Sequence, residues 1–456
     1  MITTAILVTF IVGYAMIALE HPLKIDKAAT ALLTGIICWS LYMFGLEGIL
    51  KEGDIPPWFA EKVGHVTGHG ASLEFLREYA VEGQLLHSLS EIAGILFFLM
   101  GAMTIVELVD AYEGFSIITD RINAKSQVTL LWIVGLLTFF MSAVLDNLTT
   151  TIVMVSLLKK LIKDHEKRLL FAGMVVIAAN AGGAWTVIGD VTTTMLWIKQ
   201  KITPVQTMLW LVLPSLVCLI VPLYLISRQL QGPVERPDEI KHAHYKKLKP
   251  YQSMLFLILG FGGLLFVPIF KAVTHLPPFM GVLFSLSVMW IVSEIVKHDM
   301  DQETRSSTHV LSILKKIDTG SILFFLGILL AINSLGSVGL LDAAAQKLNT
   351  SVGNENAIAI LIGLLSAVVD NVPLVAAGIE MYDFPADHSF WLFLAYCAGT
   401  GGSCLIIGSA AGVAAMGLEH IDFMWYVRKV SLWALLGYLA GCGVYLAQAW
   451  LVGLFV

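Results

Sequence analysis

The chain has 456 residues, of which 28 are Lys or Arg and 34 are Asp or Glu, and its formal net charge is −6. Charged residues make up 14% of the chain and apolar residues 57%, whereas a soluble globular protein carries about 25% charged residues. This composition excludes a soluble multidomain protein, and with no long basic tract the sequence gives no sign of a nucleic-acid partner.

Cysteine spacing points to no cofactor. The five cysteines lie inside apolar runs and form no Cys-x-x-Cys pair: Cys38, Cys218, Cys397, Cys404 and Cys442. Neither a disulfide framework nor a zinc site is therefore expected.

Ten apolar runs are long enough to form membrane-crossing helices, which need roughly 20 mostly apolar residues. They cover residues 2–19, 27–46, 89–109, 169–198, 205–226, 251–270, 279–296, 318–338, 389–418 and 430–451. No small-residue cleavage pattern follows the first run, so it is expected to be a transmembrane helix and not a removable signal peptide.

Two further apolar runs have polar residues at their centres. The runs and their central pairs are 128–158 with Asp146-Asn147 and 355–380 with Asp370-Asn371. Each pattern predicts two half-length helices that meet at a polar tip, which is a re-entrant hairpin.

The distribution of Lys and Arg supports ten crossings and two hairpins. With that arrangement, 21 of the 28 basic residues fall in loops on one side of the membrane and 7 on the other. Because Lys and Arg accumulate in cytoplasmic loops, both termini are predicted outside, and the polar segment from Arg228 to Pro250 is predicted in the cytoplasm.

Three motifs occur twice in the same order, at offsets of 227, 224 and 219 residues. They are Ile95–Leu99 with Ile322–Leu326, Ser142–Asn147 with Ser366–Asn371, and Gly182–Gly189 with Gly401–Gly408. The chain is therefore predicted to consist of a first repeat at 1–226, a cytoplasmic linker at 227–250 and a second repeat at 251–456.

Because each repeat has an odd number of crossings, the second repeat has the opposite orientation in the membrane. The expected fold is an all-α polytopic membrane protein with two inverted-topology repeats, each made of five crossings plus one re-entrant hairpin. Residues 169–198 and 389–418 each contain a Gly-Gly pair with a third Gly six residues after it. This spacing predicts discontinuous helices at the repeat interface, and close helix packing is the alternative explanation.

Asp146 and Asp370 are the most informative charged residues, because a carboxylate in hydrocarbon costs about 3 kcal/mol or more. They occupy equivalent hairpin tips, and their shared neighbours are an Asn directly after them (Asn147, Asn371) and a Ser four residues before them (Ser142, Ser366). The sequence thus places an Asp carboxylate, which is costly in hydrocarbon, at the same position in both repeats. The alternative is that each Asp only caps the half-helix that follows it.

The first repeat has a polar cluster that the second lacks. Asp190 is followed by Thr192 and Thr193, whereas the aligned residue of the second repeat is Ser409; Asn180 aligns with Gly399. Carboxylate, amide and hydroxyl oxygens without Lys or Arg suit a small hard cation. Since burial disfavours the charged form of a carboxyl group, protons are expected to compete for the same groups, which is sufficient for antiport.

Weaker signals come from other titratable residues. Glu107, in the third crossing, is a candidate for a proton path, with a side chain reaching the membrane surface as the alternative. His65 and His69 have i, i+4 spacing but lie in a glycine-containing loop, which favours solvated residues over a metal site.

The stretches Ser142–Thr151, Asn180–Thr193 and Ser366–Pro373 resemble NhaD-type sodium/proton antiporters of the ion transporter superfamily, and the resemblance covers nearly the whole chain. It implies exchange of Na+ or Li+ for H+ by alternating access across a bacterial inner membrane, for pH and salt homeostasis. It implies transient Na+ or Li+ binding at Asp146, Asp190 and Asp370. The residues with implied roles are Ser142, Asp146, Asn147, Asn180, Asp190, Thr192, Thr193, Ser366, Asp370 and Asn371.

The expected partners are Na+, Li+, H+ and membrane lipid, and a homodimer is compatible with this class. Sodium-coupled di- and tricarboxylate carriers and arsenite exporters belong to the same superfamily and are the alternative function. Carboxylate carriers typically have Ser-Asn-Thr at their hairpin tips, so Asp-Asn favours a cation cargo. No enzyme is expected, because the sequence lacks the Gly-x-Gly-Asp element of intramembrane aspartyl proteases.

Overall fold

A computed structural model of the chain describes residues 2–51, 53, 55–62, 72–119, 121–122, 124–235, 248–297, 300, 304–305 and 308–453. Within these residues the regular structure is helical, apart from one isolated antiparallel bridge between Ser126 and Pro233. The predicted all-α class is therefore confirmed.

The longer helices are, in chain order, α1 (Ile2–Ala18), α2 (Lys27–Phe44), α3 (Leu86–Ala111), α4 (Gln127–Leu145), α5 (Asn147–Leu161), α6 (His165–Gly183), α7 (Val191–Ile198), α8 (Pro204–Ser227), α9 (Pro250–Thr274), α10 (Pro278–Val296), α11 (Thr319–Ser337), α12 (Leu340–Val352), α13 (Glu355–Leu365), α14 (Asn371–Met381), α15 (Ser389–Gly401), α16 (Ala410–Glu419) and α17 (Leu432–Gly453). Short helices cover Glu20–Leu23, Leu46–Ile49, Pro57–Lys62, Leu73–Glu78, Ser116–Thr119, Val310–Ile313 and Phe423–Tyr426. Turns of π-helix precede α3 and α17, so that these two helices run continuously over Leu73–Ala111 and Phe423–Gly453.

Eight helices in the described residues are long and apolar enough to cross a membrane. Seven of them coincide with predicted crossings: α2, α3, α8, α9, α10, α11 and α17. The predicted first crossing, α1, is apolar but has 17 residues. The protein is thus a multi-pass membrane protein, as the composition predicts.

Both predicted discontinuous helices are interrupted next to their glycine pairs. α6 ends at Gly183 and α7 begins at Val191, while α15 ends at Gly401 and α16 begins at Ala410. The polar residues of the first interruption are therefore held between two helix ends.

The two predicted hairpin regions differ from one another. In the second, α13 and α14 have 11 residues each, which agrees with two half-length arms. In the first, α4 has 19 residues, and it is the eighth helix that is long enough to cross. The half-length expectation does not hold for α4, because Ser126 caps its start and the helix is not interrupted before Asp146.

The first compact unit consists of residues 1–96, 318–353 and 376–383. Its helices α2 and α11 pack closely, since a Cβ added to Gly327 would lie 2.3 Å from Leu32 N and one added to Gly35 would lie 2.7 Å from Gly327 O. Glycine thus permits the two backbones to approach.

The second compact unit, which contains both discontinuous helices, consists of residues 97–317, 354–375 and 384–456. In each discontinuous helix, the first glycine of the pair contacts the backbone of a neighbouring helix. A Cβ at Gly182 would lie 2.2 Å from Phe139 O of α4, and one at Gly401 would lie 2.0 Å from Gly363 O of α13. Close packing is therefore one reason for the glycine pairs.

The second glycine of each pair contacts the far end of the interruption. A Cβ at Gly183 would lie 2.4 Å from Gly189 O, and one at Gly402 would lie 2.6 Å from Gly408 O. The chain turns back on itself at both places, so both explanations considered for the glycine pairs apply.

We expect Gly182→Ala to lower the free energy of unfolding by about 1–3 kcal/mol, the usual cost of overpacking, because the new methyl group would meet backbone that has no room to move. Gly443→Ala is the matched control, since nothing lies within 4 Å of a Cβ there. Thermal unfolding of the purified proteins in detergent measures both. Equal stability of the two variants would contradict the packing described for Gly182.

Candidate functional site

The residues predicted for the site lie in the second unit, around the interruption between α6 and α7. Asp190 ends this interruption and directly precedes α7. It is 2% exposed. The free backbone N–H groups at a helix start favour a negative charge at this position, but a buried carboxylate also needs direct partners.

Asparagines from two separate helix starts hold the Asp190 carboxylate. Asn147, the first residue of α5, donates from Nδ2 to Asp190 Oδ1 at 3.1 Å. Asn371, the first residue of α14, donates from Nδ2 to Asp190 Oδ2 at 3.1 Å. The Thr192 hydroxyl donates to the same Oδ2. All three donors are neutral, so none of them balances the charge of an ionised Asp190.

A second chain of hydrogen bonds runs from Asn147 to the other discontinuous helix. Asn147 Nδ2 also donates to Asn180 Oδ1 at 3.0 Å. Asn180 Nδ2 then donates to Ser403 Oγ at 2.8 Å and to Ser409 Oγ at 2.9 Å. Asn180 and both serines are buried, so this network joins α6 to the interruption between α15 and α16.

Sequence reasoning did not identify Ser403 and Ser409 as site residues. The available signal was their position, because they align with Ala184 and Asp190 of the first interruption. Their contact with Asn180 depends on how the two interruptions meet, which spacing along one chain does not give.

Gly399 of the second repeat aligns with Asn180 of the first, and the Asp190 carboxylate occupies the space where a side chain at position 399 would lie. A Cβ at Gly399 would lie 3.3 Å from Asp190 Oδ2. The aligned pairs therefore face one another crosswise, with Asn180 against Ser409 and Gly399 against Asp190. Glycine leaves room on the side that carries the carboxylate.

Asp146 caps the helix that follows it, as the structural alternative predicts. Its Oδ1 accepts a hydrogen bond from Thr149 N at 2.7 Å, and its Oδ2 accepts one from Thr149 Oγ1 at 2.9 Å. Its backbone has φ 91° and ψ 160°, a conformation that is essentially restricted to glycine and costs about 1–3 kcal/mol in other residues. Such strain is typical of functional positions.

Asp370 lies at the matching position before α14. Its Oδ1 accepts a hydrogen bond from Val372 N at 3.3 Å. Asp146 and Asp370 are half-buried, in contrast to Asp190. The structure thus places the two half-buried carboxylates beside helix starts and the fully buried one between them in the hydrogen-bond network.

The remaining predicted hydroxyl groups bond to backbone carbonyl groups. Ser142 Oγ donates to Ala179 O at 2.6 Å, and in the second half Ser366 Oγ donates to Ala398 O at 2.9 Å. Thr193 Oγ1 donates to Asp190 O at 2.9 Å. These three side chains fix the positions of the interrupted segments.

The chemistry of the cluster fits a single small cation better than a multi-carboxylate metal centre. Within the part of the chain that the structure describes, no group of three or more His, Cys, Asp or Glu side chains could hold a metal ion. The side chains that donate hydrogen bonds to the Asp190 carboxylate are Asn147, Asn371 and Thr192, and none of these three is basic. One carboxylate with amide and hydroxyl groups around it suits a hard monovalent ion or a proton.

Other candidates lie away from this network or outside the described residues. Glu107 is half-buried in the last two turns of α3 and is not part of the hydrogen-bond network described around Asp190. His65 and His69 lie outside the residues that the structure describes.

An ion pair fixes the far end of α16. Glu419, its last residue, is 2% exposed and accepts a hydrogen bond from Arg168 Nε at 2.7 Å. His165 and Lys159 lie 3.7 Å and 4.0 Å from its carboxylate. Since Arg168 and Asn180 belong to α6, this ion pair holds the last residue of α16 to α6, and the Asn180–Ser409 hydrogen bond holds the residue that caps the start of α16.

Comparison with known proteins gives a family match over most of the chain. Residues 5–386 match the family described as CitMHS, citrate transporter. Sodium/proton antiporter 1 from Arabidopsis thaliana is 46% identical over 97% of this chain and 72% of its own length.

Two further relatives have similar coverage. Sodium/proton antiporter 2 from the same plant is 44% identical over 96% of this chain and 98% of its own length. The Na+/H+ antiporter NhaD from Vibrio cholerae serotype O1 is 30% identical over 97% of this chain and 91% of its own length.

Arg168→Gln is expected to lower the free energy of unfolding by about 3 kcal/mol, because it leaves the buried Glu419 carboxylate without its shortest partner. The double variant Arg168→Gln/Glu419→Gln should recover most of this loss, since no buried charge remains. Denaturant unfolding of the purified proteins measures the coupling, with the exposed Glu166→Gln as control. A double variant that is as unstable as the sum of its singles would contradict the pairing.

Proposed function

This chain belongs to the CitMHS family and to the NhaD-type sodium/proton antiporters. We propose that it exchanges Na+, or Li+, for H+ across a membrane. The observation that carries the proposal is the environment of Asp190. Its carboxylate is 2% exposed and is held by neutral donors alone.

A buried carboxylate without a basic partner is stable in two forms. It can bind a proton, or it can bind a metal cation, because an unbalanced ionised form in a dry interior is costly. Na+ and H+ therefore exclude one another at Asp190. If the protein exposes this group first to one side of the membrane and then to the other, that exclusion produces antiport.

The two half-buried carboxylates have a supporting role in this proposal. Asp146 and Asp370 each stand one residue before an asparagine that bonds Asp190. Their negative charges raise the local concentration of cations beside the network.

Two inverted-topology repeats, at 1–226 and 251–456 with a cytoplasmic linker between them, are part of the proposal. Support comes from matched details in the two halves: the serine-to-carbonyl bonds of Ser142 and Ser366 and the backbone contacts of Gly182 and Gly401. Each half also supplies one asparagine to the carboxylate. A site to which two inverted halves both contribute can open to either side.

Sodium-coupled carboxylate transport or arsenite export is the second candidate, and the match to the citrate-transporter family favours the carboxylate carrier. An organic carboxylate needs positive partners, and basic side chains such as Arg are suited to that role. Among the described residues, the hydrogen-bond partners of Asp190 include no Lys or Arg. A cation cargo is therefore the better fit, and no enzymatic activity is proposed.

We also propose a bacterial cytoplasmic membrane with both termini outside. The excess of Lys and Arg in one set of loops supports this orientation, and the Lys159 and Arg168 that surround Glu419 belong to that set. The relatives come from bacteria and from a plant. A homodimer is part of the same proposal for this class of transporter.

Everted membrane vesicles test the function directly. We expect added Na+ or Li+ to dissipate a preformed pH gradient at alkaline pH, and citrate to have no effect of its own. A gradient that collapses only when citrate and Na+ are added together would favour the carboxylate carrier. A gradient insensitive to Na+ and Li+ across the pH series would refute antiport.

Asp190→Asn is expected to abolish exchange while the protein still inserts, because an amide preserves the shape of the side chain and cannot release a proton. Asp146→Asn and Asp370→Asn, which keep an acceptor for their helix caps, are expected to reduce exchange strongly for the same reason. Asp318→Asn is the control, since Asp318 is an exposed cap of α11. Sodium-dependent pH-gradient collapse in vesicles with matched protein levels is the readout, and full activity of Asp190→Asn would overturn the site.

A further inference from the structure

Two threonine hydroxyls in α5, the helix that begins at Asn147, have no hydrogen-bond partner among the described residues. In the described part of the chain, Thr150 Oγ1 and Thr151 Oγ1 are buried atoms without a hydrogen bond, and both residues are 0% exposed. A buried polar group without a partner is uncommon in native proteins and calls for an explanation.

Four other buried threonines in helices of this protein satisfy their hydroxyl groups locally. Each of the four donates to the carbonyl oxygen four residues earlier: Thr34 to Thr30 O at 2.8 Å, Thr104 to Met100 O at 2.6 Å, Thr138 to Val134 O at 2.7 Å and Thr400 to Tyr396 O at 2.6 Å. Thr150 and Thr151 are in α5 and do not make this bond. Their hydroxyl groups remain available in the interior.

Helical spacing places both threonines on the side of α5 that faces the network. They follow Asn147 by three and four residues, and side chains with that spacing share a helix face. Asn147 itself reaches Asn180 and Asp190. One helical turn rises about 5.4 Å, so the hydroxyl groups lie one turn further along α5, toward its end at Lys159 and Lys160.

We propose that Thr150 and Thr151 are ligands for the transported cation one turn away from Asp190, on the route toward the basic end of α5. Hydroxyl oxygens are hard ligands that replace part of the water shell of a small cation. The inference rests on the proposed function. It adds two residues that neither the sequence patterns nor the hydrogen bonds to Asp190 identify.

Valine substitutions separate this role from a structural one, because Val has the shape of Thr without the hydroxyl. Thr150→Val and Thr151→Val should each raise the KM for Na+ by about fivefold, the effect of losing one hydrogen-bond-strength contact. The melting temperature of each variant should stay the same or rise, since an unsatisfied buried polar group is removed. Thr138→Val is the matched control, and its KM should not change.

The measurements are sodium-dependent pH-gradient collapse in everted vesicles and thermal unfolding of the purified proteins. Thr151→Ser, which keeps a hydroxyl, should have the KM of the unmodified protein. An unchanged KM in both valine variants would overturn the proposal. So would valine variants that fail to fold, because that result would show that the hydroxyl groups support the structure.

A binding assay keeps this inference distinct from the proposed function. If the unmodified protein does not exchange Na+ for H+, the proposed function fails, and radioactive sodium binding to the purified protein still tests the ligands. Weaker binding by the two valine variants, with unchanged binding by Thr138→Val, would support them. Equal binding by all four proteins would contradict them.

Discussion

A carboxylate inside a membrane protein is stable only when a proton, a cation or a set of hydrogen-bond donors compensates for the water it has lost. Asp190 has the donors but no basic partner among them. Asn147, Asn371 and Thr192 orient both oxygens, yet all three are neutral, so none of them balances the charge of an ionised Asp190; in the proposed function, a proton or a transported cation does so. The rest of the local structure follows from the need to hold such a group in place.

Interrupted helices meet this need, because each interruption provides helix ends and free polar groups in the interior of the protein. The glycine pairs make the interruptions compact: Gly182 and Gly401 contact the backbone of neighbouring helices, and Gly183 and Gly402 let the chain turn back. Hydrogen bonds from Asn180 join α6 to the second interruption and to Ser409, the residue before α16. The ion pair between Arg168 and Glu419 fixes the same helices at a second point.

Much of this could be predicted from the sequence, since hydropathy, repeated motifs and glycine spacing are local signals. The seven crossings, the interruptions beside the glycine pairs and the polar break at Asp146 are of this kind. The crosswise contacts of Asn180 with Ser409 and of Gly399 with Asp190 are not, because they depend on how distant segments pack. The same reason explains why sequence reasoning emphasised Asp146 and Asp370, whereas the structure centres the network on Asp190.

Proton release upon sodium binding is the most direct test of the account. When Na+ is added to the purified protein in weakly buffered detergent solution, over a series of pH values, we expect protons to appear in the solution. We also expect sodium affinity to fall as the pH is lowered, and Asp190→Asn to lose both responses. Sodium binding without proton release, or sodium binding by Asp190→Asn as tight as that of the unmodified protein, would contradict competition at this carboxylate.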